Sequence, residues 1–247
     1  MIALITFTKS YIMKHIILAS TSTIHGSDYL DYILPELDIF FNDIEDIIFI
    51  PYARPGGITH NEYTKKAQEA FKKINRTIIG LHQFDNPVEA ISNAKAIFTG
   101  GGNTFLLVQQ LYKNNIITPL KNSILNGTKY FGTSAGSNIG GLTMNTTNDM
   151  PIVYPPSFKT LGLVSFNINP HYLDPLPNSK HMGETRETRL KEFHKFNTQP
   201  VVGLREGSWL EIADKTIILK GELQARIFEY NKPPYEVETG TNLSNLK

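Results

Sequence analysis

Short, nearly continuous apolar runs of strand length alternate along the chain with longer stretches whose apolar residues recur at helical spacing. That rhythm predicts parallel βαβ units. The runs at 15–20, 46–52, 76–82, 94–100, 129–133, 164–170 and 200–204 are the expected strands, and 28–42, 60–75, 104–126 and 183–197 the expected helices. Asp46-Ile-Ile-Phe-Ile-Pro and Ala94-Lys-Ala-Ile-Phe-Thr are apolar almost throughout, as strands covered on both faces require. Later, Trp209-Leu-Glu-Ile, Thr216-Ile-Ile-Leu and Ala225-Arg-Ile-Phe are separated by turn residues and predict an antiparallel addition at a sheet edge. From Asn231 onward the chain is polar, carries Pro233-Pro234, and is expected to fray. Met13-Lys14 leads straight into the first strand. Residues 1–12 are therefore expected to be an N-terminal extension, and 13–247 one α/β domain.

Composition narrows the chemistry. The 247 residues include no cysteine, which excludes disulfides, thiolate zinc sites, iron–sulfur ligation and a thiol nucleophile. Lys+Arg total 24 against 23 Asp+Glu, so no basic field favours nucleic acid. The longest apolar stretches run about 6 to 8 residues, far short of the roughly 20 that span a bilayer. The apolar start has neither a preceding basic region nor a small-residue cleavage site, so no secretory signal is expected and the cytoplasm is the default. No H-E-x-x-H or clustered His/Asp spacing is present, and neither a metal nor a cofactor is expected.

In open parallel sheets, ligands gather outside the carboxyl ends of strands, and two such ends stand out. Thr99-Gly100-Gly101-Gly102-Asn103-Thr104 joins a strand to an apolar helix and would leave N–H groups exposed for an anion. It lacks the last glycine of a dinucleotide fingerprint and the lysine of a P-loop. Gly132-Thr133-Ser134-Ala135-Gly136 is a G-x-S-x-G nucleophile elbow in its strand–turn–helix setting. Together the turns could place two oxyanion donors around one hydroxyl. A serine needs a base. Of seven histidines, His171 follows a strand end on the rim where Ser134 is expected, whereas His15, His25, His60, His82, His181 and His194 do not. The acid that orients the base could be Glu206, after strand 200–204, or Asp149, in the loop after the elbow helix. The order Ser134, Asp149, His171 matches α/β-hydrolases; spacing alone leaves the choice open.

Six segments in order resemble the peptidase E, or α-aspartyl dipeptidase, family. They are Phe98-Thr-Gly-Gly-Gly-Asn-Thr-Phe, Gly132-Thr-Ser-Ala-Gly-Ser-Asn, Thr146-Thr-Asn-Asp-Met-Pro-Ile-Val, Ile168-Asn-Pro-His, Gly183-Glu-Thr-Arg-Glu-Thr-Arg and Gly203-Leu-Arg-Glu-Gly-Ser-Trp. The likeness covers roughly residues 13–230. It implies a serine peptidase on a class I glutamine amidotransferase-like (flavodoxin-like) fold, cleaving dipeptides that begin with aspartate. It also implies Ser134 as nucleophile, His171 as general base, Glu206 or Asp149 as third member, and Gly102 and Ala135 N–H groups as oxyanion hole. Thr133 stands where bacterial relatives often have tryptophan, and Arg205 where proline is common. Those departures touch substrate preference more than chemistry.

Recognition of an aspartyl side chain demands a local cation, ideally a guanidinium. Arg186 is the first candidate and Arg189 the second, with Glu184 or the spare acid for the substrate amine and Asn103 as a further substrate contact. The expected partners are Asp-Xaa dipeptides, with no nucleic acid or membrane, the protein acting as a monomer or homodimer. Rival readings are a cyanophycinase-like β-aspartyl peptidase, a small-ester hydrolase on the same elbow, and a non-enzymatic anion-binding module.

Overall fold

A computed structural model describes residues 13–175, 180 and 182–247. The expected extension at 1–12 and His181 lie outside the described residues. Five parallel strands build the centre: β1 His15–Ala19, β2 Asp46–Ile50, β3 Thr77–Gly80, β4 Ala96–Thr99 and β5 Lys129–Thr133. Between or after them run α1 Leu34–Phe40, α2 His60–Lys72, α3 Pro87–Asn93, α4 Thr104–Lys113, α5 Ile117–Leu125 and α6 Ala135–Asn138. Then follow β6 Asn167–Pro170, α7 Arg186–Phe193, β7 Val201–Leu204, β8 Ser208–Ala213, β9 Thr216–Gly221, β10 Ala225–Phe228 and β11 Tyr235–Val237. The main sheet has the order β3-β2-β4-β5-β1-β8-β9, with β8 antiparallel to β1 and β9 to β8. It is the mostly parallel α/β sheet that the apolar rhythm predicts.

Successive side chains of a strand face opposite ways, so each strand feeds two cores. Ile16 and Leu18 pack with Leu107, Leu111, Leu120 and Ile124 of α4 and α5. Ile17 and Ala19 face the other layer with Leu34, Leu37, Tyr63 and Phe71 of α1 and α2. No helix among the described residues is long and apolar enough to cross a membrane.

The boundaries depart from the pattern where single residues intervene. The helix expected at 28–42 begins only at Leu34, because Leu30 takes φ 65° and Pro35 sits in the first turn. The helix expected at 104–126 is two helices, broken where Asn115 adopts φ 56°, a conformation asparagine tolerates well. Helix α3 escaped the periodicity; its signal is Asn86-Pro87, with the Asn86 side chain accepting from Glu89 N–H.

The larger departure concerns the strands at 164–170 and 200–204. β6 and β7 pair in parallel with each other but form a second sheet, ordered β11-β10-β7-β6. The edge of β1 is already taken by β8, so they pair outside the main sheet. Of the three C-terminal runs, the first two extend the main sheet while Ala225–Phe228 joins the second. Ile168, Val202, Leu204 and Ile227 share one core with Ile16, Leu18, Leu210 and Ile212. Nor does the tail fray. Tyr235–Val237 pairs with β10, and Leu243 is buried with its N–H donating to Ile217 O at 2.8 Å.

Candidate active site

The turn after β5 is forced tight by its glycines. A Cβ on Gly136 would lie 2.2 Å from Thr99 O, and one on Gly132 2.4 Å from Gly136 O, so the strand and helix can approach only with hydrogen there. Between them Ser134 is held at φ 53°, ψ −111°. A non-glycine residue reaches that region only when its surroundings compel it. The compulsion is visible: Ser134 N–H donates to Ala19 O at 3.1 Å, and Tyr130 Oη–H to Gly136 O at 2.8 Å. Ser134 thus stands at the carboxyl end of β5.

Beside it lies the glycine turn of residues 100–102. Gly102 has φ 143°, and a Cβ there would meet Ala53 O at 2.3 Å. A Cβ on Gly101 would come 2.9 Å from the Cβ of Ser134. Tyr63 Oη–H donates to Gly101 O at 3.1 Å and steadies the turn. Among the described residues, the N–H groups of Gly102 and Ala135 donate to no protein acceptor.

His171 arrives from the second sheet. Its Nε2 lies 2.8 Å from Ser134 Oγ and its Nδ1 2.7 Å from Glu206 Oε1. An ionised carboxylate only accepts, so the proton belongs on Nδ1 and the lone pair on Nε2 faces the hydroxyl. β6 and β7 run in parallel with Pro170 opposite Leu204, which releases His171 and Glu206 at the same end of one strand pair. Ser20, at the end of β1, ties the two sheets together: its Oγ–H donates to Leu204 O at 2.7 Å and accepts from His171 N–H at 2.8 Å. The pattern along the sequence gave no reason to single out Ser20. A serine just past a strand end near a glycine turn is the only signal it offers.

Asp149 stands elsewhere. Its Oδ2 accepts from Thr104 N–H at 2.7 Å, Thr104 Oγ1–H at 2.6 Å and Thr147 Oγ1–H at 3.0 Å. It sits at the N-terminus of α4, where a negative charge is favoured, and braces the glycine turn. Asn103 caps the same helix: its Oδ1 accepts from Leu106 N–H at 3.0 Å while its Nδ2 donates to Met150 O at 2.8 Å. Both ends of the amide are engaged within the fold.

Arg186 opens α7 half-buried, with Nη1 buried and without a hydrogen-bond partner among the described residues. Burial pulls its pKa below the ordinary guanidinium value, and the nearby Glu206 charge opposes that. Arg189 and Glu184 are exposed and 4.0 Å apart. Among the described residues, no three His, Asp or Glu side chains converge as metal ligands would.

The model of "Peptidase family S51" matches residues 16–220. A "Peptidase E" of Streptomyces coelicolor is 44% identical over 232 residues, covering 94% of each chain. A Drosophila melanogaster protein named "Probable alpha-aspartyl dipeptidase" is 41% identical over 219 residues, covering 87% of this chain and 90% of the relative. Among solved structures, a peptidase from an acI-B1 Actinobacterium superposes with TM-score 0.69 at 15% identity, covering 94% of this chain and 97% of that one, a likeness of fold. With a serine elbow over a mostly parallel sheet, and with relatives matching nearly end to end, the chain belongs to peptidase family S51 and is a serine-type hydrolase.

Proposed function

We propose that the protein is a dipeptidase that hydrolyses dipeptides with an N-terminal aspartate through an acyl-enzyme on Ser134. His171 Nε2 takes the Ser134 proton as Oγ forms its bond to the scissile carbonyl carbon. The oxyanion is received by the Gly102 and Ala135 N–H groups, each such donor contributing roughly 10²–10³-fold. Collapse of the intermediate breaks the C–N bond, and the leaving amine takes the proton from Nε2. Water then attacks the ester, its proton passes to Nε2, and Ser134 is restored as the aspartate leaves. Glu206 is assigned to His171 as orienting acid, on the 2.7 Å contact at Nδ1. Asp149 and Asn103 are assigned to holding the glycine turn and α4, on the hydrogen bonds they already make.

The observation that carries the aspartyl preference is Arg186, a guanidinium near Glu206 whose buried Nη1 has no acceptor among the described residues. A substrate carboxylate would satisfy it, and Glu184 is assigned to the substrate amine. Hydrogen bonds to charged partners are worth about 1.5–3 kcal/mol. Arg186→Ala is therefore expected to lower kcat/KM for Asp-Leu roughly 10- to 100-fold while changing that for Ala-Leu by less than about threefold. Steady-state rates on Asp-Leu, Asn-Leu and Ala-Leu check this. Equal cleavage of all three by the wild-type enzyme would remove aspartyl recognition, and turnover of simple esters alone would favour the small-ester reading.

A further inference from the structure

Two arginines, one of them next to Glu206 in sequence, converge on one carboxylate in the C-terminal strand. Glu236 of β11 accepts from Arg205 through both oxygens, Oε2 from Nη1 at 2.8 Å and Oε1 from Nη2 at 3.1 Å. Its Oε1 also accepts from Arg226 Nη1–H at 2.7 Å. The other edge of Arg205 donates to Asp174, Nε to Oδ2 at 2.9 Å and Nη2 to Oδ1 at 3.1 Å, and its guanidinium lies 5.5 Å from the centre of the Tyr172 ring. Arg226 continues to Glu187 at 2.8 Å, and Glu187 to Lys191 at 2.6 Å. Signs alternate along the whole array: Asp174, Arg205, Glu236, Arg226, Glu187, Lys191.

Two members of the array, and the Tyr172 ring packed against Arg205, are sequence neighbours of groups the reaction uses. Arg205 immediately precedes Glu206, Tyr172 immediately follows His171, and Glu187 immediately follows Arg186. We infer that Glu236 is a positioning residue: it sets Glu206, His171 and Arg186 relative to one another through Arg205 and Arg226. The inference rests on the proposed function and names a residue distant in sequence from every catalytic group.

Magnitude decides between a positioning role and a stabilising one. Exposed ion pairs are worth about 0–1 kcal/mol each, with bidentate arginine networks the exception. Arg205 and Arg226 side chains are only 16% and 23% exposed, and Glu236 31%. Burial raises the Glu236 carboxyl, but the bonds from Arg205 and Arg226 outweigh it and hold the carboxyl below its ordinary value. The two arginines thus favour the charged form of the hub. The array therefore adds to stability as well, and by fixing Arg205 and Glu187 it defines the angle at which Glu206 and Arg186 leave their strand and helix. Small misplacements near a reacting centre cost up to about 10²-fold.

The test is a double-mutant cycle. Glu236→Gln is expected to lower kcat/KM for Asp-Leu about tenfold, mainly in kcat and at a temperature well below its melting point, and Glu236→Asp to recover part of the loss. In a Glu206→Gln background the same change should cost only a fraction of that loss, because one of the groups it positions is already disabled. Losses that multiply in the double variant, or a fall in melting temperature with unchanged kcat, would overturn the proposal. The rate at which a fluorophosphonate probe labels Ser134 is measured alongside. That rate reports the triad whatever the peptide substrate, so a tenfold drop in labelling supports the positioning role even if Asp-Leu proves a poor substrate, and unchanged labelling counts against it.

Discussion

Ser134→Ala is expected to lower kcat on Asp-Leu by roughly 10⁴- to 10⁶-fold, the scale seen when the nucleophile of a serine triad is removed. The fold should survive, because the hydroxyl's protein partner is His171 Nε2 at 2.8 Å and the elbow is held by backbone bonds and glycine contacts that alanine leaves intact. Alanine at φ 53°, ψ −111° is as strained as serine. Glycine is not, so Ser134→Gly is expected to be equally inactive yet more stable by about 1 kcal/mol, the strain a non-glycine residue stores in such a conformation. Steady-state kinetics and thermal unfolding on the three proteins check both halves. Activity of Ser134→Ala within tenfold of wild type would remove Ser134 as nucleophile. A glycine variant less stable than the alanine one would mean that the elbow's geometry is not strained.

The elbow could be read from the sequence because everything that makes it is local: a strand, two glycines four residues apart, and a helix. His171 and Glu206 were candidates for a related reason, each lying just past a run expected to be a strand. What the pattern could not contain is which edge a strand finds. β6 and β7 look like further members of the main sheet, yet β8 occupies the place beside β1, and that competition is settled by long-range pairing. The contacts that depend on this docking were invisible for the same cause. Ser20 bridges 184 residues to Leu204 and 151 to His171, and Glu236 reaches Arg205 across 31. The tail from Asn231 looked loose because polar residues there serve as hydrogen-bond partners, and only Leu243 betrays a buried position.

The pair of candidate acids is the case where chain order and geometry disagree, and it yields the second large prediction. Chain order favours Asp149; the hydrogen bonds put Glu206 on His171 and Asp149 at the start of α4. In a triad the acid fixes the tautomer of the histidine and stabilises the imidazolium that forms as the hydroxyl is deprotonated, and an amide in its place costs about 10⁴-fold when the site is buried. Glu206 is 53% exposed and His171 33%, so water screens the charge and can in part replace it. The expected loss for Glu206→Gln is accordingly smaller, about 10²- to 10³-fold in kcat, with stability nearly unchanged. Asp149→Asn acts on the other quantity. Its amide oxygen can still accept from Thr104 N–H, but the charge at the helix N-terminus is gone and one hydroxyl bond is weakened. Stability should fall by about 0.5–2 kcal/mol, the range for a lost or weakened cap, while kcat falls less than about tenfold. Parallel kinetics and unfolding on the two variants separate the roles. A larger kinetic loss for Asp149→Asn than for Glu206→Gln would hand the orienting role back to the acid that chain order prefers, and would mean that α4 and the glycine turn carry His171's partner through a rearrangement on substrate binding.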